Sequence, residues 1–229
     1  IYQFKDLLIW DKQMTEQRLE KKFVYNEGDV SYKFFLISGM FKKVFPERIV
    51  NSIYFDTDMF QDVWDNINGY GDRKKIRIRW YNNLNNSKAF IEEKKKIGFV
   101  TQKKVKDIGV YESFNVLNDF IKSDKFLQIH PIIGKKLNLN KTLFIQYQRN
   151  YYELPNKKLR VTVDNNLKIY LDYPLKFINL DKTIIELKYE VKNSKFVNLF
   201  IRKNSLNNRN QKFSKYVNSF IELNESAHL

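Results

Sequence analysis

The segment from Arg73 to Tyr81 constrains the fold more than any other part of the chain. Its sequence, RKKIRIRWY, alternates between charged and apolar residues. This period of two is typical of a β-strand, in which successive side chains point to opposite faces. The cations share one face and the apolar side chains share the other: Lys75, Arg77 and Arg79 against Ile76, Ile78 and Trp80.

Other segments show the same alternation. Strands are predicted at 18–25, 51–56, 73–81, 89–95, 99–105, 143–152, 159–164 and 184–190. Most of them carry charged residues on one face: Arg18, Glu20 and Lys22; Glu92 and Lys94; Lys103; Arg149; Arg160 and Asp164; Glu186 and Lys188. Asp164 is expected to pair with Arg160. Helices are predicted at 1–16, 29–41, 112–122, 131–138 and 194–203, and a last helix ends near Leu223.

The cationic faces need an anion. Neighbouring strands lie about 4.8 Å apart, so cations on adjacent strands would be separated by roughly 6–8 Å. At an effective dielectric constant near 20, each such pair repels by about 2 kcal/mol. An ordinary surface strand is the alternative for 73–81 taken alone. The repeated pattern instead favours a closed antiparallel barrel of about eight strands with a ligand inside.

Composition narrows the class of function. The 229 residues include 41 Lys and Arg against 26 Asp and Glu, for a net charge of +15, which indicates a polyanionic partner. The absence of Cys excludes disulfides and thiolate metal sites, and two His leave little for a His-based site. The sequence has no Gly-rich phosphate loop and no apolar run of about 20 residues, and we expect no signal peptide. We therefore expect a cytoplasmic location and a phosphate site built from side chains.

A set of short motifs in a fixed order resembles one family. They are R-x-E-x-K-F at 18–23, Y-F-D at 54–56, R-K-K-I-R-I-R-W-Y at 73–81, F-I-E-E-K at 90–94, Y-Q-R at 147–149, L-R-V-T-V-D at 159–164, I-E-L-K-Y at 185–189 and K-F-S-K-Y at 212–216. Together they resemble the VTC domain, the polyphosphate polymerase domain of the CYTH/triphosphate tunnel metalloenzyme superfamily. The resemblance runs from about residue 18 to 222.

The resemblance implies a fold and a domain organisation. The fold class would be α+β, with an eight-stranded antiparallel β tunnel that has a basic interior and is flanked by helices, the CYTH-like triphosphate tunnel fold. Residues 1–229 would form one domain. An N-terminal helix would span 1–16, tunnel strands with inserted helices 17–192, and C-terminal helices 193–229.

The resemblance also implies the roles of individual residues. The positions matching the family's catalytic phosphate-binding cations are Lys22, Arg77, Arg79, Lys94 and Arg149. Further ligand contacts would come from Lys103 (with Lys104 as the alternative), Tyr147, Lys212, Ser214 and Lys215, joined by Arg160 and Lys188 from the charged strand faces. Glu186 matches the metal-binding glutamate. Glu20 and Glu92 are further candidate metal ligands, or they orient neighbouring cations. The metal would be Mn²⁺ or Mg²⁺.

Three functions are compatible with these residues. The first is transfer of the γ-phosphate of ATP onto inorganic polyphosphate, and the second is hydrolysis of triphosphates in the same tunnel. The third is a non-catalytic polyanion-binding module. No specific nucleic-acid partner is expected, because Trp80 falls on the apolar face and is not available for base stacking, although Phe90 shares the face of Glu92 and Lys94.

The C-terminal motif permits one further expectation. Lys212 and Lys215 are three residues apart, so a helical turn would point them the same way. We expect both ammonium groups to reach over one tunnel mouth onto the phosphates of a nucleotide. Ser214 would donate a hydrogen bond to the same ligand.

Overall fold

The structure is a computed structural model that describes residues 18–29, 40–98, 100–124, 126, 139–204, 206 and 212–226. Several predicted features lie outside these residues: the helices at 1–16 and 131–138, nearly all of the helix at 29–41, and His130.

Nine strands and four α-helices make up the described part of the chain. The strands are β1 (Arg18–Asn26), β2 (Lys42–Asp56), β3 (Arg73–Tyr81), β4 (Ser87–Ile97), β5 (Val100–Tyr111), β6 (Asn140–Glu153), β7 (Arg160–Asp172), β8 (Lys176–Leu180) and β9 (Lys182–Glu190). The helices are α1 (Gln61–Ile67), α2 (Phe114–Lys122), α3 (Ser194–Lys203) and α4 (Lys215–Ser226), and a short 3₁₀ helix (Val191–Asn193) precedes α3.

All of the strand pairs are antiparallel. Eight strands follow one another in the order β1-β9-β7-β6-β2-β3-β4-β5, and β8 pairs with β7 outside this path. The predicted fold class, α+β with about eight antiparallel strands flanked by helices, is therefore confirmed, with a ninth strand added. Within the described residues, backbone pairing does not join β1 to β5, and a side-chain contact links β1 to β4. Glu20 Oε2 of β1 lies 3.5 Å from Lys94 Nζ of β4.

The outer face of β3 packs under α2, as the alternation predicts. Ile76, Ile78 and Trp80 are each at most 1% exposed. The Trp80 ring lies 6.1 Å from that of Phe114, at the start of α2. Burial of this apolar face turns the opposite face, with its cations, toward the tunnel interior.

Helix α4 packs against one end of the tunnel. Tyr216 stacks on Tyr54 of β2 at 4.8 Å, and its hydroxyl donates to Asp56 Oδ2. Ser214 caps the helix because its Oγ accepts from Val217 N, while its own N–H donates to Asn218 Oδ1. This docking places Lys215, the first residue of α4, inside the tunnel, where it is 8% exposed.

Several elements differ from the sequence prediction. Strand β2 begins at Lys42 and includes Pro46, because register shifts against β6 between Lys43 and Arg48 form bulges that a proline tolerates. Strand β7 continues to Asp172, well beyond the predicted end at Asp164. Helix α1 and strand β8 were not predicted.

Candidate functional site

The interior wall of the tunnel collects charged side chains from seven strands and one helix. Among the described residues, the cations there include Lys22, Lys75, Arg77, Arg79, Lys94, Lys103, Arg149, Lys188 and Lys215. Four carboxylates accompany them: Glu20, Glu92, Asp164 and Glu186. The wall therefore keeps an excess of positive charge after every carboxylate is counted.

Glu92 organises the cations of β3. Its Oε2 accepts from Arg77 Nε at 2.7 Å and lies 2.5 Å from Arg77 Nη2 and 3.7 Å from Arg79 Nη1. Lys103 Nζ is 3.2 Å from Oε1. Burial alone would raise the pKa of Glu92, but the Arg77 and Arg79 guanidinium groups hold that pKa well below its usual range. A permanently ionised Glu92 fixes both arginines before any ligand arrives.

The same cluster shows which of Lys103 and Lys104 faces the tunnel. Lys103 is on the face of Glu92, whereas Lys104 Nζ lies 3.9 Å from Glu93 and its side chain is 67% exposed. Lys103 is the member of the pair that faces the tunnel.

Asp164 forms a second cluster, and its predicted pairing with Arg160 is wrong. Arg149 donates to Asp164 through Nε and Nη2 at 2.5 and 2.6 Å, and Lys215 Nζ donates to Oδ2 at 2.5 Å. Arg149 stands directly opposite Asp164 in the β6–β7 register. Arg160 is four residues along the same strand, roughly 13 Å away, and it binds Glu153 at 2.9 Å.

Glu20 and Glu186 share one ammonium group. Lys22 Nζ lies 3.2 Å from Glu20 Oε1 and 3.2 Å from Glu186 Oε1. Glu186 Oε2 is also 3.4 Å from Lys188 Nζ. Burial and the Glu186 charge would raise the pKa of Glu20, but the ammonium groups of Lys94, Lys22 and Lys188 outweigh them and lower it to about 2. Both carboxylates are therefore ionised at neutral pH.

Two tyrosines hold the guanidinium groups from the β2–β6 side. Arg77 Nη1 donates to the Tyr54 hydroxyl at 3.0 Å, and Arg79 Nη2 donates to the Tyr147 hydroxyl at 3.1 Å. Lys215 Nζ lies 4.7 Å from the centre of the Tyr147 ring, within the range of a cation–π contact. Tyr147 thus contacts wall cations, and its ligand role stays a prediction.

Lys75 belongs to the site but was missed as a functional residue. Its Nζ donates to Ser214 Oγ at 2.6 Å, which links β3 to the start of α4. Burial, followed by the charges of Lys22, Lys94 and Arg73, lowers the pKa of Lys75 to about 7. The alternation of β3 had placed Lys75 on the same face as Arg77, and this was the available signal.

The expectation that Lys212 and Lys215 point the same way is wrong. Lys212 precedes α4, and its Nζ donates to Asn66 O at the end of α1. Lys215 is inside the tunnel on Asp164. Ser214 Oγ accepts from Lys75 in this structure. The ligand-binding roles of Lys212, Ser214 and Lys215 stay predictions.

The donor set can be tested for a hard divalent cation. Such cations prefer carboxylate and phosphate oxygens. Glu186 and Glu20 both direct an oxygen at the Lys22 ammonium group, so two ionised carboxylates converge on one position. These two residues fit a Mn²⁺ or Mg²⁺ ion completed by phosphate oxygens. Glu92 lies apart from this pair and contacts Arg77, Arg79 and Lys103 instead. Glu20 and Glu186 also bind wall cations through both oxygens, so a metal ion would have to displace the Lys22 ammonium group from between them.

Comparisons with known proteins agree with this architecture. The family profile of the VTC domain matches residues 17–224. A putative adenylate cyclase from Bacillus halodurans aligns with a TM-score of 0.54 at 13% identity, covering 90% of this chain and 97% of that one. A conserved hypothetical protein from Pyrococcus furiosus aligns with a TM-score of 0.53 at 12% identity, covering 88% and 99%. Identities this low show a shared fold only. A search of curated protein sequences finds no match.

Within the described residues, the helices are all too short or too polar to cross a bilayer.

Proposed function

Because the chain belongs to the VTC domain family, we propose that it transfers the γ-phosphate of ATP onto a growing inorganic polyphosphate chain. The observation that carries the proposal is the excess of cations over carboxylates on the tunnel wall. A linear polyanion suits such a tunnel, because its negative charges are spread along its length and can each meet a cation of the wall. ATP and polyphosphate both have this character.

Phosphoryl transfer depends more on positioning and charge neutralisation than on covalent groups of the protein. Arg77 and Arg79 are suited to this, because Glu92 and two tyrosine hydroxyls fix their guanidinium planes. A fixed guanidinium group can donate two parallel hydrogen bonds to a phosphate without reorganising. Lys22, Lys94 and Lys103 add point charges along the same wall.

Glu186, together with Glu20, would hold the divalent cation. When bound, Mn²⁺ or Mg²⁺ would neutralise phosphate charge and polarise a phosphoryl oxygen. The protein's own part is to keep both carboxylates ionised, which the surrounding ammonium groups accomplish by lowering their pKa.

The chemistry of the wall also bears on which acceptor is attacked with least help from the protein. The terminal phosphate of polyphosphate is already an anionic nucleophile, so its attack needs no general base. Attack by water would need one. Glu92 and Asp164 both bind cations, and these cations lower the pKa values of the two carboxyl groups. A carboxylate with a lowered pKa is a poor base. Among the wall carboxylates this favours attack by polyphosphate over attack by water, and Lys75, whose pKa is about 7, is the remaining candidate base for hydrolysis.

The test is product analysis after incubation with ATP and Mn²⁺. We expect long-chain polyphosphate on a gel, lost in Arg77→Ala and kept in Lys104→Ala, which removes an equal charge from the outer face. Release of free phosphate alone would assign hydrolysis to the tunnel. Tight tripolyphosphate binding without turnover under any metal would assign a polyanion-binding module.

A further inference from the structure

The end of the tunnel away from α4 carries an arginine that is surrounded by aromatic side chains. Interior positions can be followed through the register of β2 with its neighbours. Arg48 stands opposite Arg149, Phe45 stands opposite Tyr151, and Val50 stands opposite Tyr81. Residues directly opposite one another share a face of the sheet. Phe45, Arg48, Tyr81 and Tyr151 therefore lie on the face that carries Arg79 and Arg149.

Arg48 is held by aromatic rings. Its guanidinium carbon lies 5.4 Å from the centre of the Phe45 ring, 5.8 Å from that of Tyr81 and 5.9 Å from that of Tyr151. These three rings form an aromatic cage. The Phe45 and Tyr151 rings also pack edge to face at 5.6 Å, and this contact stabilises the cage. Cation–π contacts orient a guanidinium group without using its N–H donors.

Arg48 differs in this respect from the other wall arginines. Arg77 and Arg79 share Glu92, and Arg149 is bound by Asp164. Among the described residues, Arg48 has no carboxylate within 4.0 Å and makes no side-chain hydrogen bond. A guanidinium group has five N–H donors in a planar fork that matches phosphate oxygens. Among the described residues, these donors remain available to a ligand.

The position of Arg48 shows which part of a ligand it would meet. Arg79 pairs with Ser52, four residues along β2 from Arg48. Four residues of a strand span roughly 13 Å. Arg48 therefore lies beyond the cluster around Glu92 and toward the other mouth, where a short triphosphate bound at Arg77 and Arg79 would end and a longer chain would continue.

We propose that Arg48, caged by Phe45, Tyr81 and Tyr151, is a second anion subsite that binds the distal phosphates of a long polyphosphate chain. The inference rests on the proposed function, because it takes polyphosphate as the ligand of the tunnel. It makes Arg48 a specificity residue that distinguishes long chains from tripolyphosphate. The aromatic cage fixes the guanidinium group while leaving the chain free to slide, since each phosphate presents the same oxygens.

The test is equilibrium binding without turnover. Tripolyphosphate and long-chain polyphosphate are titrated separately into the wild-type protein and Arg48→Gln. We expect the dissociation constant for the long chain to rise about tenfold, equivalent to about 1.4 kcal/mol, while that for tripolyphosphate changes less than about twofold. Lys43→Gln is the matched control, because it removes an equal charge from an exposed position of the same strand. We expect it to leave both constants near the wild-type values.

A second variant addresses the cage. Tyr81→Leu keeps the charge of Arg48 but removes one of its rings, and we expect the same selective weakening at smaller size. Thermal melts of each variant show whether it is folded. Unchanged long-chain affinity in a folded Arg48→Gln, or equal weakening of both ligands, overturns the subsite while the proposed function stands. Failure of the wild-type protein to bind either ligand overturns the proposed function itself.

Discussion

Glu92 illustrates how a single residue can prepare a wall of cations. It is 5% exposed and contacts Arg77, Arg79 and Lys103. Removing one member of a buried ion cluster leaves the others uncompensated, which typically costs about 3–5 kcal/mol. In Glu92→Gln we expect a loss of that order in the free energy of unfolding. Urea denaturation measures it.

The same variant should respond unusually to ligand. Because its wall has one carboxylate fewer, tripolyphosphate should stabilise Glu92→Gln more than it stabilises the wild-type protein. Glu93→Gln is the control, since Glu93 faces outward and lies 3.9 Å from the exposed Lys104. An equal ligand-induced rise in melting temperature in both variants would show that Glu92 does not govern the charge of the tunnel.

Lys75 should make binding depend on pH. Its pKa is lowered from 10.5 to about 7 in the folded protein, so between those values the unfolded chain binds a proton that the folded chain does not. The free energy of unfolding therefore rises with pH between about 7 and 10.5. The cost of keeping Lys75 charged in the folded protein is largest below pH 7. Lys75→Met removes the penalty and should raise the melting temperature of the ligand-free protein at pH 6.

A bound polyphosphate should raise the pKa of Lys75 again, because the negative charge of the phosphates favours the ammonium form of the side chain. Binding at pH 8 should therefore take up a proton, and affinity should fall as pH rises above about 7. Titration calorimetry in two buffers of different ionisation enthalpy detects this uptake. Lys104→Met should retain it and Lys75→Met should lose it. Identical proton uptake in both variants would assign the titration to another group.

Glu186 is the residue on which metal dependence can be tested. Glu186→Gln keeps the shape of the side chain but loses the charge that a hard cation needs. We expect metal-dependent turnover to be lost. Tripolyphosphate binding should be kept or strengthened, because Lys22 and Lys188 lose a competing carboxylate. Wild-type turnover in this variant would remove Glu186 from the mechanism.

At the scale of elements, the strands with a strong period of two were predictable, and β3 was predicted with its observed bounds, 73–81. The second half of β7 was not, because Asn165-Asn166 resembles a turn. In the structure Asn166 adopts a φ of 50° at a register shift against β6, so the irregularity bends the strand without ending it. Strand β8 and helix α1 have only five and seven residues, too few for a periodicity to appear.

In the site, too, some features follow from the sequence of one strand and others depend on how the strands pair. Which residues face inward follows from alternation within one strand, and the predicted wall residues Arg77, Arg79 and Glu92 were placed correctly together. Which carboxylate pairs with which cation depends on the register between strands. Arg149 and Asp164 are opposite one another only after β6 and β7 are aligned. Sequence reasoning therefore assigned Asp164 to Arg160.

Helix α4 can be tested through its two lysines. Lys215→Ala leaves Asp164, which is 0% exposed, without one of its two cationic partners. We expect this variant to melt well below the wild-type protein. Lys212→Ala loses only a hydrogen bond to Asn66 O, so its stability should change by about 1 kcal/mol or less. Equal melting temperatures would mean that Lys215 does not hold Asp164 in solution.

At the scale of the whole molecule, the tunnel has one weak seam. The described parts of β1 and β5 end the path of paired strands, and the ion pair between Glu20 and Lys94 spans the gap between β1 and β4. Lys94 is half exposed, so this pair alone stabilises the seam little. Ligand-free tunnels should therefore open locally at the seam more often than they unfold globally.

A bound polyanion should close this seam, because Lys22 and Lys188 lie on one side of it and Lys94 and Lys103 on the other. We expect tripolyphosphate to slow amide hydrogen exchange most strongly in β1 and β5, and to change little in β6, which is paired on both sides. Glu20→Gln should accelerate exchange at these two strands only slightly in the free protein, and should not do so in the bound one. Sulfate at equal ionic strength controls for general screening. A uniform slowing across all strands would indicate global stabilisation instead, and would mean that the ligand does not close the seam specifically.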